Sequence, residues 1–167
     1  MGQQIPGTME SENPTGTLRL FVAIPVPEPV RNEMIRVQRE LQTAVPPGGI
    51  RWTRPDQLHL TLRFLGEVLA AEVDNLKHSV GTVCENVRAP RLRAEGIAFF
   101  PGNRSPSVIW AGIRDDEGRL VDLQKQIEAA VQPFTSGGSV EKFTGHVTLG
   151  RVKKTTPAGI RKLTAQA

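Results

Sequence analysis

The sequence predicts one domain of mixed strands and helices, built as two lobes with approximate internal symmetry that face each other across a cleft. Three observations predict it. A chain of 167 residues with 38% hydrophobic content is long enough to bury one substantial core. Strand and helix patterns follow each other in two rounds. Finally, His59-Leu60-Thr61-Leu62 returns as His146-Val147-Thr148-Leu149, each copy inside a strand pattern. Two copies of a unit indicate a two-lobed domain, whereas a solenoid needs three or more.

The opening residues, Met1 to Gly16, are polar and rich in Gly, Pro, Ser, Glu and Gln. They offer no periodic apolar face and are expected to form a disordered leader. Residues 17–167 are expected to form the single domain. Leu18 to Pro25 reads as a largely buried strand stopped by proline, which cannot donate to a central ladder. From Pro27 to Val45, Val30, Met34, Val37, Leu41 and Val45 recur at helical spacing, and Pro46-Pro47-Gly48-Gly49 closes the segment. Ile50-Arg51-Trp52 and Leu58 to Leu65 read as strands, and Val73, Leu76, Val80, Val83 and Val87 mark a second helix. The second round has strands at Arg91 to Phe100 and Ser107 to Ile113 around a turn rich in Pro, Gly and Asn. A helix then runs from about Glu117 to Val131 with Leu120, Leu123, Ile127 and Val131 on one face, and a strand from Phe143 to Val152 follows.

Composition narrows the function without choosing it. The net charge of +4 suits a polyanionic partner such as RNA, but many basic proteins have no such role. No apolar run approaches the roughly 20 residues needed to cross a bilayer, and no cleavable signal pattern opens the chain, so a cytoplasmic location is expected. The one cysteine, Cys84, has no disulfide partner and no neighbouring zinc ligands, and reads as a small apolar residue on a helix. His78, on the second helix without a repeated counterpart, reads as a surface residue.

The repeated tetrapeptide carries the chemistry. Residues two apart on a strand share a face, so His59 and Thr61 project together while Leu60 and Leu62 enter the apolar side. His146 and Thr148 do the same. A lone strand histidine is more often structural than catalytic, but recurrence of the whole pattern favours function. Two imidazoles titrating near neutral pH can hold opposite protonation states, one taking a proton while the other gives one. That suits in-line displacement at phosphorus, with the threonine hydroxyls and strand amides holding the non-bridging oxygens. No cluster of Asp, Glu and His surrounds either motif, so no metal and no cofactor are expected. A G-x-S-x-G elbow, a Walker loop and a G-x-G-x-x-G fingerprint are also absent.

These residues resemble the two-histidine phosphoesterase superfamily, and within it the RNA 2′,3′-cyclic phosphodiesterases, also called 2′-5′ RNA ligases. The resemblance runs through LRLFVAIPVP, RWTRPDQLHLTLRFLGEV, VIWAGI and FTGHVTLGRV, from Leu18 to Val152. It implies a bilobal α+β fold with an antiparallel sheet in each lobe and helices outside. It also implies opening of a terminal cyclic phosphate to a 2′-phosphate, with RNA ends or nucleoside cyclic phosphates as substrates. By this resemblance His59 is the general acid for the 3′-oxygen, His146 the base for water, and Thr61 and Thr148 hold phosphate. Arg151, five residues after His146, matches a family arginine near the phosphate, although strict alternation puts it on the opposite face unless a bulge intervenes near Gly150.

Phe21 matches a position where an aromatic can stack a base, with core packing as the competing reading. Arg63 shares the alternation face of His59 and is expected as a secondary phosphate contact. Arg51 and Arg54 read as solvated charge with a diffuse attraction for RNA, and Trp52 and Trp110 as packing residues. The chain departs from the family pattern in two places. Gly145 stands where proline is usual before the second histidine, and the family continues to at least one further strand, so a C-terminal strand is expected to be missing. A monomer needing no protein partner is expected. Rival readings are ligation of RNA through a 2′-5′ linkage by the same groups, and an RNA-binding or nucleotide-binding module without turnover.

Overall fold

A short apolar run rich in β-branched and aromatic residues draws Thr17–Pro25 into strand β1, which Pro25 and Pro27 end. The computed structural model describes residues 16–43, 45, 47–103, 105–135 and 142–153. The expected leader, apart from Gly16, and the region of the expected missing C-terminal strand lie outside the described residues.

Helix α1, Glu28–Gln42, starts on Pro27 with Pro29 in its first turn, where the absent N–H is one the helix could not have paired. It ends before the expected Val45 because Thr43 closes it: both the Thr43 amide and hydroxyl donate to the Glu40 carbonyl, at 3.1 and 2.7 Å. Its inward stripe is Met34, Gln38 and Leu41, and Val30 is exposed. Strand β2, Ile50–Trp52, and a 3-10 turn, Pro55–Gln57, lead into β3, His59–Leu69.

β3 outruns its expected end at Leu65. Gly66, at φ 72°, takes a left-handed conformation that costs glycine little, and pairing then resumes from Leu20↔Gly66 to Thr17↔Leu69. Helix α2, Val73–Asn86, the strands β4, Arg93–Phe100, and β5, Val108–Arg114, helix α3, Arg119–Val131, and strand β6, His146–Val152, complete the described chain. Asp115 accepts a hydrogen bond from the Glu117 amide just before α3 and another from the Leu120 amide of its first turn, a donor the helix leaves open.

The fold is α+β and every strand pairing is antiparallel. The two arms, β1 with β3 and β4 with β5 and β6, meet in one sheet of order β1-β3-β6-β5-β4. β5 runs along one edge of β6, so β3 and β2 share the other edge. The arms join at Leu60↔Val147, and these two residues hold the same place in the two copies of the repeated tetrapeptide. The approximate two-fold axis read from the sequence therefore passes between them.

Leu60, Leu62, Ile109, Val147 and Leu149 line the apolar side of the sheet, against Leu123, Ile127 and Val131 of α3 and Met34 and Leu41 of α1. α3 packs across β3, and α2 lies on α3. Among the described residues no helix is long and apolar enough to cross a membrane. Cys84, expected as a small apolar residue, is exposed on α2, and His78 is exposed as expected. Trp52 packs against the core.

Candidate active site

Because β3 and β6 run antiparallel and pair at the second residue of each motif, the ladder brings His59 beside Thr148 and Thr61 beside His146. All four project from the sheet face opposite the buried Leu60, Leu62, Val147 and Leu149. Each of the four side chains is half-buried.

The imidazoles are held alike. His59 Nδ1 lies 2.7 Å from the Gln57 carbonyl, and His146 Nδ1 lies 2.8 Å from the Thr144 carbonyl. A carbonyl only accepts, so Nδ1 carries the proton in both rings and Nε2 is left for chemistry. Aromatic side chains fix the ring planes. Phe21 stacks on His59 at 4.7 Å between centroids, while Phe100 and Trp110 meet His146 edge-on at 5.2 and 5.6 Å.

Two bulges decide which neighbours join them. In β3 the register passes from Ala23↔Thr61 to Val22↔Arg63, leaving Leu62 as the extra residue. In β6 it passes from Trp110↔Thr148 to Ile109↔Gly150, leaving Leu149 extra. The bulged residue is thus the fourth of the tetrapeptide in both copies. An extra residue reverses the alternation beyond it, with opposite consequences for the two arginines expected near phosphate.

Arg151, opposed to Val108, turns onto the face of His146 and Thr148, meeting the condition that strict alternation had set against it. Arg63 turns away, which corrects its expected place beside His59. Its side chain is 12% exposed on the helix side, with Nε 3.0 Å from Glu128 Oε2 of α3. Arg63 ties sheet to helix and does not face the cleft.

The same reversal brings in Phe64, which the alternation pattern had hidden. Phe64 opposes Phe21, is 65% exposed and lies 6.0 Å from the Phe21 ring. Phe21 is itself 48% exposed, so core packing does not account for it. Phe64 and Arg151 are each the fifth residue after their histidine, so the repeat places an aromatic ring and a cation at equivalent points of the cleft. The consecutive apolar pair Phe64-Leu65, which strict alternation cannot bury together, was the signal available in the sequence. Trp110, expected only to pack, stacks on Phe100 and borders His146.

Gln38 was also missed. Its buried Nε2 donates to the Thr53 carbonyl at 2.9 Å and to the carbonyl of the bulged Leu149 at 2.8 Å. The Thr53 amide donates to that same Leu149 carbonyl at 2.9 Å. A polar residue spaced with Met34 and Leu41 on an inward stripe was the legible hint. Gln38→Leu is expected to cost about 1–3 kcal/mol, because the Thr53 carbonyl loses its side-chain donor and the Leu149 carbonyl keeps only the Thr53 amide. A lower urea midpoint at unchanged slope would report it.

Gly145, which precedes His146, sits where a Cβ would lie 2.9 Å from Leu120 Cδ2 of α3, so glycine here permits close packing of the strand entry on the helix. Arg54 forms an ion pair with Asp56, and that hydrogen bond holds the Asp56 carboxyl below its ordinary range. Among the described residues no three His, Cys, Asp or Glu side chains gather as metal ligands.

Comparison with known proteins agrees with this geometry. The family model described as LigT like Phosphoesterase matches residues 24–110. The RNA 2′,3′-cyclic phosphodiesterase of Archaeoglobus fulgidus is 31% identical over 141 residues, covering 84% of this chain and 76% of that protein. The corresponding protein of Thermus thermophilus is 33% identical, covering 84% and 71%. Among solved structures, one of a Thermus thermophilus protein aligns with TM-score 0.70 at 32% identity over 84% of this chain and 77% of its own. Escherichia coli LigT complexed with 3′-AMP aligns with TM-score 0.65 at 29% identity over 81% and 73%. Two histidine motifs joined on one sheet face, a family model covering more than half the chain and relatives of this identity together mean that the chain belongs to the LigT-like phosphoesterases.

Proposed function

We propose that the protein hydrolyses terminal 2′,3′-cyclic phosphates of RNA to 2′-phosphomonoesters, with His59 and His146 as its acid and base. The observation that carries this reading is the pairing of Leu60 with Val147, which sets two equivalent His-x-Thr units side by side, with both Nε2 atoms unpartnered among the described residues. The names of the relatives and the 3′-AMP bound by E. coli LigT support the substrate class.

In this reading the cyclic phosphate lies between the imidazoles. His146 Nε2 takes a proton from water as its oxygen bonds to phosphorus. The bond from phosphorus to the 3′-oxygen breaks, and His59 Nε2 gives its proton to that leaving oxygen. Thr61 and Thr148 donate to the non-bridging oxygens as charge gathers there. Arg151 supplies a cationic fork on the same face, and Phe21 with Phe64 offers rings on which the terminal base stacks. Both halves of the site come from one chain, so this reading needs no partner subunit, and RNA ends as substrate fit a cytoplasmic setting.

The test is an assay of the purified protein on nucleoside 2′,3′-cyclic phosphates in excess chelator, with the product resolved by phosphorus NMR. Undiminished turnover to the 2′-phosphate and a bell-shaped pH profile from two titrating groups are expected. Binding without turnover would identify a nucleotide-binding module instead.

A further inference from the structure

The register of β2 against β6 sets two arginines directly opposite each other, Arg51 and Arg151. Directly opposed residues in a sheet point to the same side, so Arg51 shares the cleft face that the Leu149 bulge gives Arg151. Like charges at this spacing repel, and both strands are fixed in backbone. The Thr53 amide bonds to Leu149 on one side of the pair and the Lys153 amide to Gly49 on the other.

The other arginines near the motifs are engaged, Arg54 with Asp56 and Arg63 with Glu128. Arg51 and Arg151 enter no ion pair among the described residues, and both are exposed. Two adjacent guanidinium forks present up to ten donors and no acceptor. Such an array matches the paired oxygens of a phosphodiester better than it matches any neutral group.

Its position says which phosphate. Arg151 is three residues beyond Thr148 on β6, roughly 7–10 Å along the strand at about 3.3 Å per residue. Arg151 can therefore reach back toward a phosphate held at Thr148, which leaves the fork of Arg51, one strand over on the same face, for a second phosphate. The sugar and 5′-carbon of a terminal nucleotide span such a gap, and they end in the diester that joins it to the preceding nucleotide.

We propose that Arg51, paired across the ladder with Arg151, binds the internucleotide phosphate next to the reacting one, so that the protein favours oligonucleotide ends over single nucleotides. The inference rests on the function proposed above and extends it to a choice of substrate length.

Binding measured without turnover tests it. Calorimetry compares a dinucleotide carrying a 3′-phosphate with 3′-AMP, on the full chain and on Arg51→Ala and Arg51→Lys. The full chain is expected to bind the dinucleotide about tenfold more tightly than 3′-AMP, about 1.4 kcal/mol. Arg51→Ala should abolish that advantage and flatten the salt dependence of dinucleotide binding by about 0.7 in logarithmic slope. Arg51→Lys, retaining charge without the fork, should recover part of both. Equal dinucleotide and 3′-AMP affinities in the full chain would overturn the inference, and so would an advantage that survives Arg51→Ala. Failure of the hydrolase reading looks different: the binding preference would remain while cyclic phosphates went unhydrolysed.

Discussion

Alanine at His59 or at His146 is expected to lower kcat on a nucleoside 2′,3′-cyclic phosphate by about 10²–10⁴ each, the usual worth of one proton transfer. The two losses should not add. With either partner gone the in-line displacement lacks one of its two proton steps, so the double variant should be little slower than the worse single one. The fold should survive. Each ring is half-buried on the cleft face and makes one hydrogen bond, from Nδ1 to the Gln57 or the Thr144 carbonyl. Such a bond contributes about 0.5–1.5 kcal/mol. Parallel measurement of kcat and of the thermal midpoint separates the two effects, and full activity in either variant would remove the acid and base assignment.

Leu149→Ala should do the reverse, costing stability before chemistry. Leu149 is 0% exposed and is the extra residue of the β6 bulge, directly beneath the face that carries Thr148 and Arg151. Truncating a fully buried leucine removes apolar burial and leaves a cavity, together about 2–5 kcal/mol. A domain is stable by only about 5–15 kcal/mol. At this size each kcal/mol moves the midpoint by about 2–4 °C, so a fall of roughly 4–20 °C is expected. The imidazoles keep their carbonyl partners in this variant, and below the new midpoint turnover should stay within a few-fold of the original. A collapse of kcat in still-folded protein would mean that the bulge sets the catalytic geometry itself.

The order of strands and helices was legible because hydrophobic periodicity is local, and the repeated tetrapeptide identified the two strands that meet. Where the reading failed, pairing overrode periodicity. Arg63 was judged by strict alternation and a bulge at Leu62 turned it away, while the equivalent bulge at Leu149 supplies the condition that the expected place of Arg151 required. The extra residue exists only relative to β1 or β5, so neither segment records it alone. Phe64 was hidden for the same reason. Gln38 escaped because an inward stripe was read for apolar residues, whereas its amide answers carbonyls on strands far away in the chain. Cys84 was read from the habits of cysteine in general, and α2 turns that position outward.

The way helices cross between the halves has a consequence for origin. α1, which follows the first strand, reaches through Gln38 to the second motif, and α3, from the second half, packs over the first motif and holds Arg63. Each repeat thus lends a helix residue to its sibling's motif. A half-length ancestor with a single motif would have been incomplete alone. It would reach the same layout as a two-fold homodimer that exchanged helices, with fusion of the copies leaving each free to specialise, one toward an aromatic ring at Phe64 and the other toward a cation at Arg151.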